Sequence, residues 1–262
     1  MRYKKIILFF SAALPICVVL RTFELFYIVE PSTGFFSQEF GNFGNYILLI
    51  IFAFATLVTV FSFTSHRSPE HLPPTNIAML VSSLFLSASL LYQIFTESLP
   101  AVVQGWQILL LRITGTAAAV FFVAFGLQRC FSFRLPAVCA VIPAVYFAMR
   151  VICYFTSIAS LALISDNLLM LAAYCFILLF MLNLAKLFNH ADTDRTFRSL
   201  LGFGLAAVIF SLTQSIPHII LNLSNGFTYL HTSMAANIHL LFTGIFIAAF
   251  LFSHFSHKNA CE

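Results

Sequence analysis

Residues Asn45 to Thr64 read NYILLIIFAFATLVTVFSFT, twenty positions without a charged side chain, a glycine or a proline. About 20 apolar residues are what an α-helix needs to cross the hydrocarbon core of a bilayer. The run is continuously apolar, whereas a membrane β-barrel strand alternates over segments of about ten residues. This stretch is therefore read as a transmembrane helix, and it sets the pattern sought on either side of it.

Outward from it, the polar and Pro/Gly-bearing interruptions divide the chain into eight spans of that kind. They run over approximately Lys5–Val29, Asn45–Thr64, Thr75–Thr96, Gln104–Gln128, Arg134–Ala159, Ser165–Phe188, Ser199–Leu223 and His231–Phe255. Composition agrees. Of 262 residues, 61% are hydrophobic and 8% charged, with mean hydropathy +0.98, against roughly a quarter charged residues in a soluble domain. Twenty-two charges, 13 basic and 9 acidic, are too few to solvate a globule of this size. No connection is long enough for a soluble domain, so residues 1–262 form a single integral membrane domain. The expected fold is all-α, a polytopic bundle of eight transmembrane helices.

Lys and Arg placement gives the orientation, because cytoplasmic loops carry their excess. With connections assigned to alternate sides, one side receives Arg2, Lys4, Lys5, Arg67, Arg129, Arg134, Lys186, Arg195, Arg198 and Lys258. The other receives none and holds Glu30, Glu39, Glu97 and Asp166. A seven-helix division spoils that separation, so both termini are expected in the cytoplasm and the chain in the cell (cytoplasmic) membrane. Arg21 and Glu24 follow the first apolar run where a signal-peptide cleavage site would show small residues, so this run is read as an uncleaved first span. The six cysteines lack ligand spacing and read as small apolar residues.

Three arginines remain inside spans: Arg21, Arg112 and Arg150. Counting 1.5 Å per residue, each lies on the order of 10 Å below the outer surface. An arginine there costs roughly 2.5 to 3.5 kcal/mol near a helix centre, so it must be paired, hydrated or bound to an anion. The same layer collects Glu24, Tyr27, Tyr92, Gln93, Glu97, Tyr146, Tyr154, Asp166, Asn167, Gln214, His218, Asn222, Asn237 and His239, while the inner half is Phe, Leu, Ile, Ala and Val. Pro217 lacks an amide donor and frees a carbonyl near Thr213.

Two readings of this layer stay open. In one, Arg21 pairs with Glu24, and Arg112 and Arg150 find Glu97, Asp166 or carbonyls, stapling the helices. In the other, three arginines against the single deep carboxylate Glu24 leave positive charge for an anion entering from outside or from the outer leaflet. Arg21, Glu24, Arg112, Arg150, Gln214, His218, His239, Tyr92 and Gln93 are the candidate ligand-binding residues. His218 and His239 also read as hydrogen-bonded core residues, and His66, His71, His190, His254 and His257 gather on the cytoplasmic side without convincing metal spacing.

Several classes are excluded. No lysine stands mid-span for a retinal Schiff base, and H-E-x-x-H, G-x-S-x-G and Walker signatures are missing. Neither a cofactor, a metal, a catalytic residue nor nucleic-acid binding is expected, and any ATP-driven activity needs a partner subunit. The stretch from Arg21 and Glu24 to Pro31-Ser-Thr-Gly-Phe-Phe36 resembles multi-pass membrane proteins of Gram-positive bacteria. That resemblance implies bacterial origin and a cytoplasmic membrane location, with no activity to carry over.

The functional expectation is a transporter or substrate-binding membrane subunit for a small anionic or amphipathic ligand, with membrane lipid around it. The alternatives are a non-catalytic sensor or assembly protein docking a cytoplasmic kinase or ATPase, and an intramembrane transferase acting on lipid headgroups with His218 or Glu24 as base.

Overall fold

The structure is a computed structural model and describes residues 2–30, 35–37, 40, 42–64, 76–97, 103–128, 135–158, 165–189, 193–224 and 233–259. Its helices are α1 (Arg2–Phe23), α2 (Phe43–Phe63), α3 (Ile77–Thr96), α4 (Gly105–Leu127), α5 (Val141–Ile158), α6 (Ser165–Phe188), α7 (Thr193–Ser224) and α8 (Met234–Asn259). A π-helical turn, Glu24–Ile28, prolongs α1, and a 3-10 turn, Ala137–Ala140, leads into α5. Among the described residues, eight helices are long and apolar enough to cross a membrane. The sixth has the bounds its sequence suggests. The seventh starts at Thr193 rather than Ser199. Its polar first turns stay helical because Thr196 and Phe197 are buried against the bundle.

In hydrocarbon every backbone polar group has to be satisfied within the segment, which only a helix achieves for a single run. Hydroxyls inside the spans meet the same demand locally. Thr56, Thr59 and Ser62 donate to the carbonyls of Phe52, Ala55 and Val58 at 2.8, 2.9 and 2.8 Å, and Thr243 donates to His239 at 2.7 Å. Scattered Ser and Thr therefore do not interrupt the spans.

Six helices close a ring: α3 packs on α4, α4 on α5, α5 on α6, α6 on α7, α7 on α8, and α8 back on α3. The pair α1 and α2 lies against α7 from outside that ring, which makes α7 the most buried span and α1 the least. Small residues bring the helices close. Ser87 Oγ donates to the Ala119 carbonyl at 3.0 Å between α3 and α4, and a Cβ on Gly126 would overlap the Ser83 hydroxyl. Gly202 sits against Thr59 and Ser62 of α2, and Gly244 of α8 against Ser211 and Leu212.

The ring is filled unevenly along its length. At the end predicted to be cytoplasmic, aromatic rings interlock: Phe122 and Phe246 at 5.2 Å, Phe125 and Phe246 at 5.9 Å, Phe125 and Phe250 at 6.4 Å, and Phe180 and Phe250 at 5.9 Å between centroids. The other half holds the polar layer. After α1 the chain turns back through a bridge between Val29 and Phe36, and the Phe36 ring occupies the space above Gly44 at the start of α2.

Candidate functional site

The polar layer resolves into two ionic clusters on different sides of α6. The first joins α1, α6 and α7. Arg21 ends the regular part of α1, and the π turn after it carries Glu24, a local widening that recurs at functional positions in helices. Arg21 Nη1 lies 2.7 Å from Glu24 Oε1 and donates to Ser165 Oγ at 3.3 Å. Arg21 Nη2 pairs with Asp166 Oδ1. His218 Nε2 stands 3.1 Å from that same carboxylate oxygen, so its Nε2–H tautomer donates to an acceptor-only group. All five side chains are buried. With two carboxylates and a hydroxyl around it, the guanidinium is compensated from its own helix and from α6, and His218 ties α7 to the shared carboxylate.

The second cluster lies inside the ring. Arg150 of α5 places Nη2 2.6 Å from each oxygen of Glu97, the residue that leaves α3 with an extended backbone while its amide still bonds to Gln93. The guanidinium sits over the Tyr174 ring at 5.2 Å. Around it the hydrogen bonds are long. Gln93 Nε2 to Tyr174 OH, Tyr146 OH to Gln93 Oε1 and Arg150 Nη2 to Tyr174 OH all measure 3.4 Å, beyond the usual range for strong bonds. Arg150 Nε is buried with no hydrogen-bond partner among the described residues. Tyr154 OH donates to Asn167 Oδ1 at 3.0 Å and closes the layer on the α6 side.

A recess opens beside this cluster, walled by Gln93, Glu97, Tyr146, Arg150 and Arg112 on its polar side and by Ile94, Ile108 and Leu111 on its apolar side. Its interior is about 20 Å³, room for roughly one water. Arg112 stands at the mouth. On α4 it falls between the exposed positions Leu109 and Ile113 and the packed positions Leu111 and Gly115. The side chain is exposed, and among the described residues no carboxylate pairs with it.

Of the residues singled out in the sequence, Arg21, Glu24 and His218 thus meet in the first cluster, while Arg150, Gln93 and Arg112 meet at the second. Gln214 is buried on the α7 face that carries His218, with neither amide atom bonded among the described residues; the hydroxyls of Ser211 and Ser215 share that condition. His239 stacks on Phe147 at 5.9 Å and lies 3.5 Å from Ser89 Oγ. Tyr92 is exposed and points away from the recess that its neighbour Gln93 lines.

The expected charge count needs correcting. The sequence sets a single deep carboxylate, Glu24, against three arginines and gives Glu97 and Asp166 to the outer connections. In the structure both turn inward, onto Arg150 and Arg21, so three carboxylates are held by two of the three arginines, and Arg112 has none among the described residues. Helical spacing held the signal for Glu97, which follows buried Leu90 and Gln93 by seven and four residues. Asp166 stands in the first turn of α6 beside buried Leu169 and Met170. Tyr174, buried between Arg150 and Gln93, is a further site residue that sequence reasoning missed. The histidines expected on the cytoplasmic side, His66, His71 and His190, the side chains of His254 and His257, and the Pro31–Gly34 part of the resemblance lie outside the described residues.

Comparison with family models, with curated proteins and with solved structures returned no match.

Proposed function

We propose that the chain is a multi-pass protein of the cell membrane, with cytoplasmic termini, that binds a small anionic or amphipathic ligand from the outer side as a transporter or as the substrate-binding membrane subunit of one. The binding site is the recess among α3, α4 and α5. One observation carries this reading: Arg112, exposed and without a carboxylate partner among the described residues, stands at the mouth of a recess whose floor is the buried Arg150.

The two clusters then divide the labour that the sequence left open. The first, Arg21 with Glu24, Asp166 and His218, staples α1 to α6 and α7. The second holds its arginine with a carboxylate at a helix end and with long bonds to Tyr174, so a competing anion has less to displace. An arriving anion meets Arg112 first, then takes the place of the Glu97 carboxylate on Arg150, with Gln93, Tyr146 and Tyr174 re-forming around it. A kinase or ATPase partner, if the chain works as one subunit of a larger machine, docks on the cytoplasmic connections.

The test is a panel of carboxylates, phosphates and sulfonates, with and without alkyl chains, scored by the thermal stability of the purified protein. An anion that raises the melting temperature of the native chain and not of Arg112→Gln supports the reading. A panel in which no anion acts through Arg112 sinks it.

A further inference from the structure

We infer that the anion recognised in this recess is a phosphate monoester borne on a hydrocarbon chain, and that it enters sideways from the outer leaflet. The inference rests on the proposed binding role of the recess and adds the chemical class of its ligand and the direction of entry.

Three observations converge on it. The recess interior is about 20 Å³ with Glu97 in place, so a head group has to take the space that the Glu97 carboxylate vacates, and a small, unsubstituted one matches that space better than a sugar or choline head. The rest of the ligand has to stay outside, and outside the mouth lies a lipid-facing surface: Leu109, Leu110 and Ile113 flank Arg112, all exposed. A chain lying along them keeps its methylenes away from water. The direction of α4 completes the geometry. Arg112 is seven residues into a helix that begins at Gly105 at the predicted outer end, roughly 10 Å along its axis. Side chains on a helix lean toward its N-terminus, so the guanidinium reaches up toward the headgroup region. Trp106, exposed and bonded to Gln104, marks that level.

The charge selects the monoester. With Glu97 displaced, Arg112 and Arg150 present two positive charges, and Arg150 Nε is a buried donor without a partner among the described residues. A phosphate monoester carries about 1.5 to 2 negative charges near neutral pH and offers three acceptor oxygens. A carboxylate offers two oxygens and one charge, and a phosphodiester one charge.

The chain contains a single tryptophan, Trp106, which reports on binding at α4. In phosphatidylcholine nanodiscs, Trp106 emission is followed while phosphatidic acid or phosphatidylglycerol is introduced at increasing mole fraction, and separately with inorganic phosphate in the buffer. The expected result is a saturable change with phosphatidic acid, half-saturation about tenfold higher with phosphatidylglycerol, and no response to inorganic phosphate. Arg112→Gln, an exposed change that leaves the fold intact, shifts the phosphatidic acid curve about tenfold. Because Arg150→Gln alone strands Glu97, the double variant Arg150→Gln/Glu97→Gln keeps the buried charge balanced, and it abolishes the preference for the monoester.

Inorganic phosphate binding as well as phosphatidic acid, through Arg112, overturns the lipid origin and leaves the anion site standing. Equal responses to both lipids, unchanged in the double variant, reduce Arg112 to a general headgroup contact and overturn the inference. No Arg112-dependent response to any of the three overturns the binding role along with it.

Discussion

Both oxygens of Glu97 lie 2.6 Å from one nitrogen of Arg150, Nη2. A guanidinium can offer a carboxylate two parallel N–H donors, and this pair does not use that fork, which leaves Nε unpartnered among the described residues. Glu97 thus leaves one donor edge of the Arg150 guanidinium unused.

Replacing Glu97 by Gln therefore has two opposed effects. Breaking a buried ion pair destabilises by about 3 to 5 kcal/mol, while an anion no longer competes with a tethered carboxylate. The expected outcome is a lower melting temperature without ligand, together with tighter binding of phosphatidic acid and a larger ligand-induced rise than in the native chain. Thermal melts across a lipid titration check both signs at once.

Arg112 and Arg21 separate function from stability. Arg112→Gln removes an exposed side chain with no ion pair among the described residues, so the melting temperature without ligand stays within the change expected of about 0.5 kcal/mol, while binding falls. Arg21→Gln leaves Glu24 and Asp166 buried around a neutral amide and costs about 3 to 5 kcal/mol. Adding Asp166→Asn to Arg21→Gln recovers part of that loss, and a double-mutant cycle on denaturation midpoints measures the coupling.

Close approach of α3 and α4 depends on Gly126, where a Cβ would overlap the Ser83 hydroxyl. Gly126→Ala is expected to destabilise by about 1 to 3 kcal/mol, the range for overpacking. Combined with Ser83→Gly, which clears the space, most of that loss returns in the same unfolding assay.

The proposed topology is checked with thiol labelling in a chain whose six native cysteines are replaced. Gln104 and Asn189 are exposed at opposite ends of the bundle. In intact cells a membrane-impermeant maleimide is expected to label Gln104→Cys, and to label Asn189→Cys only after permeabilisation.

The spans were legible in the sequence because length and continuous apolarity suffice for them; Asn45–Thr64 and Ser165–Phe188 differ from the helices by two residues or fewer. The ring was not. Closing α8 onto α3 depends on which face each helix buries, and runs that are apolar all round carry little record of that face. At single-residue scale the same blindness separates Tyr92 from Gln93: adjacent in sequence, about 100° apart on the helix, one is exposed on the outside of the bundle and the other lines the recess. Glu97 and Asp166 were assigned to the connections because each stands where an apolar run ends or begins. A carboxylate at a helix end can still fold its side chain back along the bundle, and both do so here because a buried guanidinium awaits them.

The interlocked phenylalanines at the predicted cytoplasmic half give the recess the character of a cul-de-sac. Phe122, Phe125, Phe180, Phe246 and Phe250 come from α4, α6 and α8 and touch across the ring axis. Under the proposed reading, an anion on Arg112 and Arg150 meets this aromatic layer beneath it and leaves by the mouth it entered. On the proposed binding role, the phenylalanine layer makes the recess a site that holds its ligand at one depth and returns it to the side from which it came.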